Sequence, residues 1–218
     1  MGRPHDMRPL IISGNELRAQ AVKAARGLGF DWGRAKYVGE GVLRAERHGL
    51  NGLEGFLSLR DNLNTGPSSL TPTMLQSGGS IKTNAVDLGI AMADGLALMK
   101  FHTPGSFIVS GCPLFLGILC YGLTGSTRAL HVVVGETPYL VQDNFIMPLV
   151  KKPQKIGQQQ SCYISECTPT NDICEPLGRF ALDEDQAKLL EQFASRVYAP
   201  ATEISRLSGA GAGLQDND

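Results

Sequence analysis

Between residues 101 and 127 the chain reads FHTPGSFIVSGCPLFLGILCYGLTGST and holds no Lys, Arg, Asp or Glu. A run of this kind is either the centre of a buried core or a membrane span, for which it is long enough. Lys100 and Arg128 flank it, but Pro104, Pro113 and five glycines interrupt it. A lipid-exposed helix so interrupted leaves backbone groups unpaired, so the soluble parse is preferred and no membrane association is expected. That parse places a buried strand over 106–110, a tight turn at Gly111-Cys112-Pro113, and a helix to Tyr121 with Pro113 at its first position.

The same parse sets Cys112 at a helix N-terminus, where free amides and the helix dipole favour a thiolate. Thiol chemistry needs an acid or base partner, and His102 and His131 lie on neighbouring segments. Cys112, His102 and His131 are therefore the candidate catalytic residues. The alternative is a small buried residue filling a crowded turn, a reading that applies still more strongly to Cys120. His131 alternates with apolar neighbours in ALHVVV, as a sheet histidine does.

Local signals place three helices before this centre. Ser13 and Glu16 form a capping box, with Ile12 and Leu17 as a hydrophobic staple, and Leu17, Ala21, Ala24 and Leu28 fall on one face. Asp31 caps a second helix with the stripe Ala35, Val38, Val42 and Ala45, and with Arg34, Lys36, Glu40, Arg44 and Arg47 on the exposed side. Asn51 with Glu54 starts a third. A helical lobe over residues 1–65 is expected. Its arginines alternate with glutamates and no basic face dominates, so nucleic acid is not an expected partner. Residues 1–60 hold ten Lys or Arg against six Asp or Glu, and the rest of the chain ten against fifteen, an asymmetry that permits attraction between lobes or subunits. A homo-oligomer is thus left open.

The boundary with the second unit, residues 66–218, falls in a stretch over 64–80 that is rich in Gly, Pro, Ser and Thr. Gly78-Gly79-Ser80-Ile81-Lys82-Thr83 lacks the phosphate-loop spacing and reads as a turn. Asn84 caps a largely buried helix running to Lys100. On it Asp87 and Asp94 project from one side about 10 Å apart, too far for one shared ion, and no metal is expected. Residues 129–134 and 139–142 read as a hairpin, 161–166 as a further strand, and Asp183 with Gln186 as the capping box of a C-terminal helix.

The five cysteines include no CxxC pair, and the first dozen residues lack a secretory signal, so reduced thiols in a cytoplasm are expected. The chain closes GAGAGLQDND, where alternating glycines allow close approach and Asp216, Asn217 and Asp218 gather negative charge. These three are the candidate binding residues of a docked tail, set against a loose chain end.

The ending SRLSGAGAGLQDND, the upstream YAPATE and the opening NELRAQAVKAARGLGFDWGRA resemble an uncharacterised bacterial family, a domain of unknown function common in proteobacteria. That resemblance implies a compact cytoplasmic protein and assigns no catalytic residue. The N-terminal helices are also faintly similar to the type-2 malate and lactate dehydrogenases, in which two helices lead into a motif reading roughly DSHG. The comparable place here reads HGLNGLEG, without a matching histidine. The expected fold is α+β, with a three-helix N-terminal lobe, a small mixed sheet centred on 106–142 and a C-terminal helix. A small-molecule-binding or interaction protein is the leading functional expectation, a Cys-dependent hydrolase or lyase the second, and an NAD-linked oxidoreductase the third. No cofactor is assigned.

Overall fold

The computed structural model describes residues 9–60, 70, 75, 80–95, 105–151, 159–170 and 176–197. The fold is α+β, with helices stacked on a six-stranded mixed sheet. In chain order the elements are β1 (Leu10–Ser13), α1 (Gly14–Gly27), α2 (Trp32–Arg47), α3 (Gly52–Leu57), β2 (Ser80–Asn84), α4 (Ala85–Gly95), β3 (Gly105–Ser110), α5 (Cys112–Gly122), β4 (Ala129–Val134), β5 (Thr137–Gln142), β6 (Phe145–Pro148), β7 (Gln159–Cys167), β8 (Arg179–Leu182) and α6 (Glu184–Ser195).

The helix starts follow from side chains that satisfy otherwise orphaned amides. Ser13 and Glu16 form the expected box at α1, Asp183 and Gln186 that of α6, and the Asp31 carboxylate accepts from the Arg34 amide. Asn84 Oδ1 accepts from the amides of Val86 and Asp87, opening α4. α3 departs from expectation. Asn51 adopts φ +54° and makes no side-chain cap; instead Glu46, on the last turn of α2, accepts from the Leu53 amide at 2.9 Å.

The sheet order is β2-β3-β7-β4-β5-β6. β2 and β3 are parallel and joined through α4, whereas every other pair is antiparallel. Ser80–Asn84 is thus an edge strand, which corrects the reading of a turn for its Ser80–Thr83 part, Gly78 and Gly79 lying outside the described residues; the partner strand comes only after the intervening helix. The sheet also reaches past residue 142 to β6 and β7.

α4 leans on β2 and β3, and α5 on β5 and β6, both on one face of the sheet. The charge-free stretch explains this placement. From Cys112 to Cys120 every residue of α5 is buried, as befits a helix apolar all round and covered on all sides. Each fully buried Leu or Ile along it contributes about 1.5–3 kcal/mol. The other side of α5 receives α2 and α3. Gly117 is where the helices meet: a Cβ there would lie 1.9 Å from the Gly41 carbonyl oxygen. Because α2 packs against α1, α3, α4 and α5 at once, it has little solvent face. Arg34 and Arg44, expected to be exposed, are instead largely buried, with side-chain exposures of 11% each.

A single hydrophobic cluster runs from Leu17 and Phe56 through α5 to Ile164 and Phe193, so the N-terminal helices and the sheet share one core. β1 and β8 stand apart as a two-stranded antiparallel ribbon, pairing Leu10 with Leu182 and Ser13 with Arg179.

Candidate functional site

The turn between β3 and α5 forms as expected. Gly111 takes φ +77°, a Cβ there would lie 3.0 Å from the Gly55 carbonyl oxygen, and Cys112 begins the helix. Left-handed backbone and close approach together explain the glycine. Cys112 itself is fully buried. Its thiol donates to the Val109 carbonyl at 3.2 Å and lies 3.7 Å from the Cys162 sulfur.

His131 lies on β4 next to Val132, which faces the core. Strand alternation turns His131 to the other face of the sheet, so Cys112 and His131 are not brought together. Around Ala129, Leu140 and Phe145 that outer face carries a small second apolar cluster. His102, Cys174, Asp216, Asn217 and Asp218 lie outside the described residues. Cys120 donates to the Gln142 carbonyl at 3.5 Å, and burial pushes its thiol up to about 12.

Asp87 and Asp94 take separate partners. Asp87 is buried in an ion pair with Arg34 and accepts from the Asn84 side-chain Nδ2 at 2.8 Å; Asp94 accepts from the Tyr37 hydroxyl at 2.6 Å. Tyr37 is held above the ordinary range, first by burial and then by Asp94. Among the described residues no group of three or more His, Cys, Asp or Glu is arranged to hold a metal ion. Nor is any described helix long and apolar enough to cross a membrane.

One polar cluster joins α2 to the β5–β6 turn. Arg44 pairs with Glu40, reaches Thr124 and Asn144 at 3.3 Å, and stacks over the Tyr121 ring at 4.7 Å. His48 Nε2–H donates to the Asn144 carbonyl at 3.2 Å, its ring stands edge-on to Phe145, and its Nδ1 is buried without a partner. Burial, with help from Arg47 and Arg44, lowers the His48 pKa from 6.5.

A concavity among the described residues lies elsewhere, where no motif marked it. α1 and α6 start from opposite ends of the β1–β8 ribbon, because the two strands are antiparallel and each feeds its own helix. Those starts are roughly 10 Å apart, three residues of strand. At their C-terminal ends the helices touch: a Cβ on Gly27 would lie 1.7 Å from the Phe193 carbonyl oxygen. The two helices pack against each other, and together with the ribbon they line a wedge-shaped cleft. This cleft has a volume of about 430 Å³, within the roughly 300–1,000 Å³ of small-molecule sites. Ile12, Leu182, Ala187, Leu190 and Ala194 give it an apolar floor, and Glu16, Gln20, Lys23 and Glu191 stand on its walls. Positions 16, 20 and 23 share one face of α1 by helical spacing. The Glu16 carboxylate is engaged with the Ser13 amide at 2.8 Å, which lowers its pKa.

Residues 12–87, from the end of β1 into α4, match the model of a family described as "Protein of unknown function (DUF3726)". No curated protein matches the chain. Among solved structures, the crystal structure of malate dehydrogenase from Entamoeba histolytica is similar with a TM-score of 0.42 and 11% identity, over 81% of this chain and 50% of that one. This chain therefore spans half the length of that structure, and at this level of likeness its chemistry has to be argued from its own residues.

Proposed function

We propose that this chain is a small-molecule-binding protein whose ligand occupies the wedge between α1, α6 and the β1–β8 ribbon. The observation that carries the reading is that cleft, about 430 Å³ with an apolar floor and polar walls, lined by two helices and a strand pair. Its lining favours a compact, mainly aliphatic molecule with one polar end. The apolar body rests on Ile12, Leu182 and Leu190, and the polar end meets Gln20 and Glu191. Burying about 100 Å² of apolar ligand surface there contributes roughly 2.5 kcal/mol, so several such contacts give micromolar binding. At the Cys112 turn, by contrast, the residues from Gly111 to Cys120 are all buried.

A thermal-shift screen of small amphipathic molecules tests the proposal. Ligands are expected to raise the melting temperature of the parent protein and of Tyr163→Ala, on the exposed outer sheet face, but not of Gln20→Trp, which fills the mouth of the wedge from an exposed position. Hits that survive Gln20→Trp unchanged would place the ligand elsewhere, and a screen without hits would leave the wedge to a macromolecular partner and overturn the reading.

A further inference from the structure

We propose that Cys112 and Cys162 are an oxidisable dithiol, a modification site at which a peroxide closes an internal disulfide between the start of α5 and the central strand β7. The two sulfurs are 3.7 Å apart, in contact, and both residues are fully buried. A disulfide bond is about 2.05 Å long, so roughly 1.7 Å of approach remains. The backbone around the pair is well anchored. Cys162 is held on both sides, paired with Phe107 of β3 and Val134 of β4, while Cys112 follows the Gly111 turn at the first residue of α5. No other described cysteine makes such a contact: Cys120 is bonded to the Gln142 carbonyl, and Cys167 lies at the far end of β7 beside Ala129.

The chemistry balances with hydrogen peroxide as the oxidant. One thiol attacks the peroxide, the O–O bond breaks, an S–O bond forms and water leaves, giving a sulfenic acid. The second thiol then attacks that sulfur, the S–S bond forms, the S–O bond breaks and a second water leaves. Two thiols are oxidised and one peroxide is reduced to two waters.

The surroundings set the rate. The contact with Cys112, and then burial, hold the Cys162 thiol far above its ordinary range, and thiols of that kind react slowly. Oxidation therefore waits for local opening of the β3–α5 turn, and the site registers sustained rather than brief exposure. Once closed, the bond ties a loop of 50 residues that contains β4, β5 and β6. A loop of that length predicts a rise in melting temperature on the order of 10 °C.

The test treats the full chain with hydrogen peroxide, blocks remaining thiols, and maps peptides without reductant. The expected result is a linked Cys112–Cys162 peptide that accumulates over hours, accompanied by a higher melting temperature that a dithiol reductant reverses. Cys112→Ala and Cys162→Val should each abolish both signals, two different variants guarding against one that folds poorly. Half-exposed Cys167 serves as the internal clock. If Cys167 is fully oxidised while no linked peptide forms, or if Cys112 proceeds to a sulfinic acid without pairing, the proposal is overturned. Neither outcome bears on the wedge, which shares no residue with the dithiol.

Discussion

The α2–α5 contact and the α1–α6 contact are built by the same device and end in opposite results. In each, a glycine lets one helix rest on the carbonyl of another: Gly117 on Gly41 in the first, Gly27 on Phe193 in the second. α5 is also pressed on by the sheet, α3 and α4, so its close contact seals the core and leaves its thiols without access. α1 and α6 also pack on each other, but among the described residues nothing covers them on the side where the β1–β8 ribbon meets them, so a wedge stays open beside their close contact. Glycine at a helix crossing therefore fixes a distance; whether that makes a core or a cleft depends on what else covers the helices.

The comparison is broken most severely at its sealed end. Gly117→Ala places a methyl where the Gly41 carbonyl stands, and α5 has no free side toward which to move. A loss of about 3 kcal/mol is expected, measured by denaturant unfolding. Gly27→Ala meets an equally short distance, but α6 can swing outward at the molecular edge, so about 1–2 kcal/mol is expected. The same variant should also abolish the wedge-ligand shift. Equal costs at the two glycines would mean that both contacts are equally confined, and the contrast would be lost.

A third variant sharpens how α2 is held at its C-terminal end. Glu46 is mostly buried, and burial raises its carboxyl pKa while the Leu53 amide opposes the rise. Glu46→Ala removes that acceptor from the start of α3 and should cost about 1 kcal/mol, whereas Glu46→Gln keeps an oxygen in place and should cost less. Hydrogen exchange at Leu53 reads the difference directly.

The smallest effect concerns His48, facing Asn144 and Phe145 from the β5–β6 turn, with Arg44 and Arg47 from its own helix. Its folded pKa lies below 6.5, so the unfolded chain takes up a proton first as the pH falls. Its contribution to stability is then complete above about 6.5 and is lost on acidification through that value toward the folded pKa. Denaturation midpoints of His48→Gln and the parent between pH 7.5 and 5 should converge as the pH drops; parallel curves would show that the ring does not titrate in the fold.

Much of the fold was legible because its signals are local. The boxes at Ser13 and Asp183, the Asp31 cap and the Gly111-Cys112-Pro113 turn each use residues within a few positions of one another, and the structure bears them out. β1 and β8 were not legible. Each has four residues, and LIIS becomes a strand only because RFAL pairs with it across the chain. β2 was hidden for a related reason, its partner following a helix. The site was harder still. Cys112 attracted attention through its helix position, but its burial depends on the Cys162 strand and on α3. The wedge is lined by Gln20, Ala187, Leu190 and similar ordinary residues, none distinctive in sequence. Gly27 was the one available signal, and it reads equally well as a helix stop.

The β1–β8 ribbon also says something about time. Its register joins position 10 to position 182, and contacts so remote in sequence close late because chain entropy opposes them until the intervening parts have condensed. On a ribosome, the α2–α5 core can assemble while β8 and α6 are still being made; the wedge cannot. Fraying of the same clasp is also the natural first step of unfolding, so the protein should lose its cleft before it loses its core.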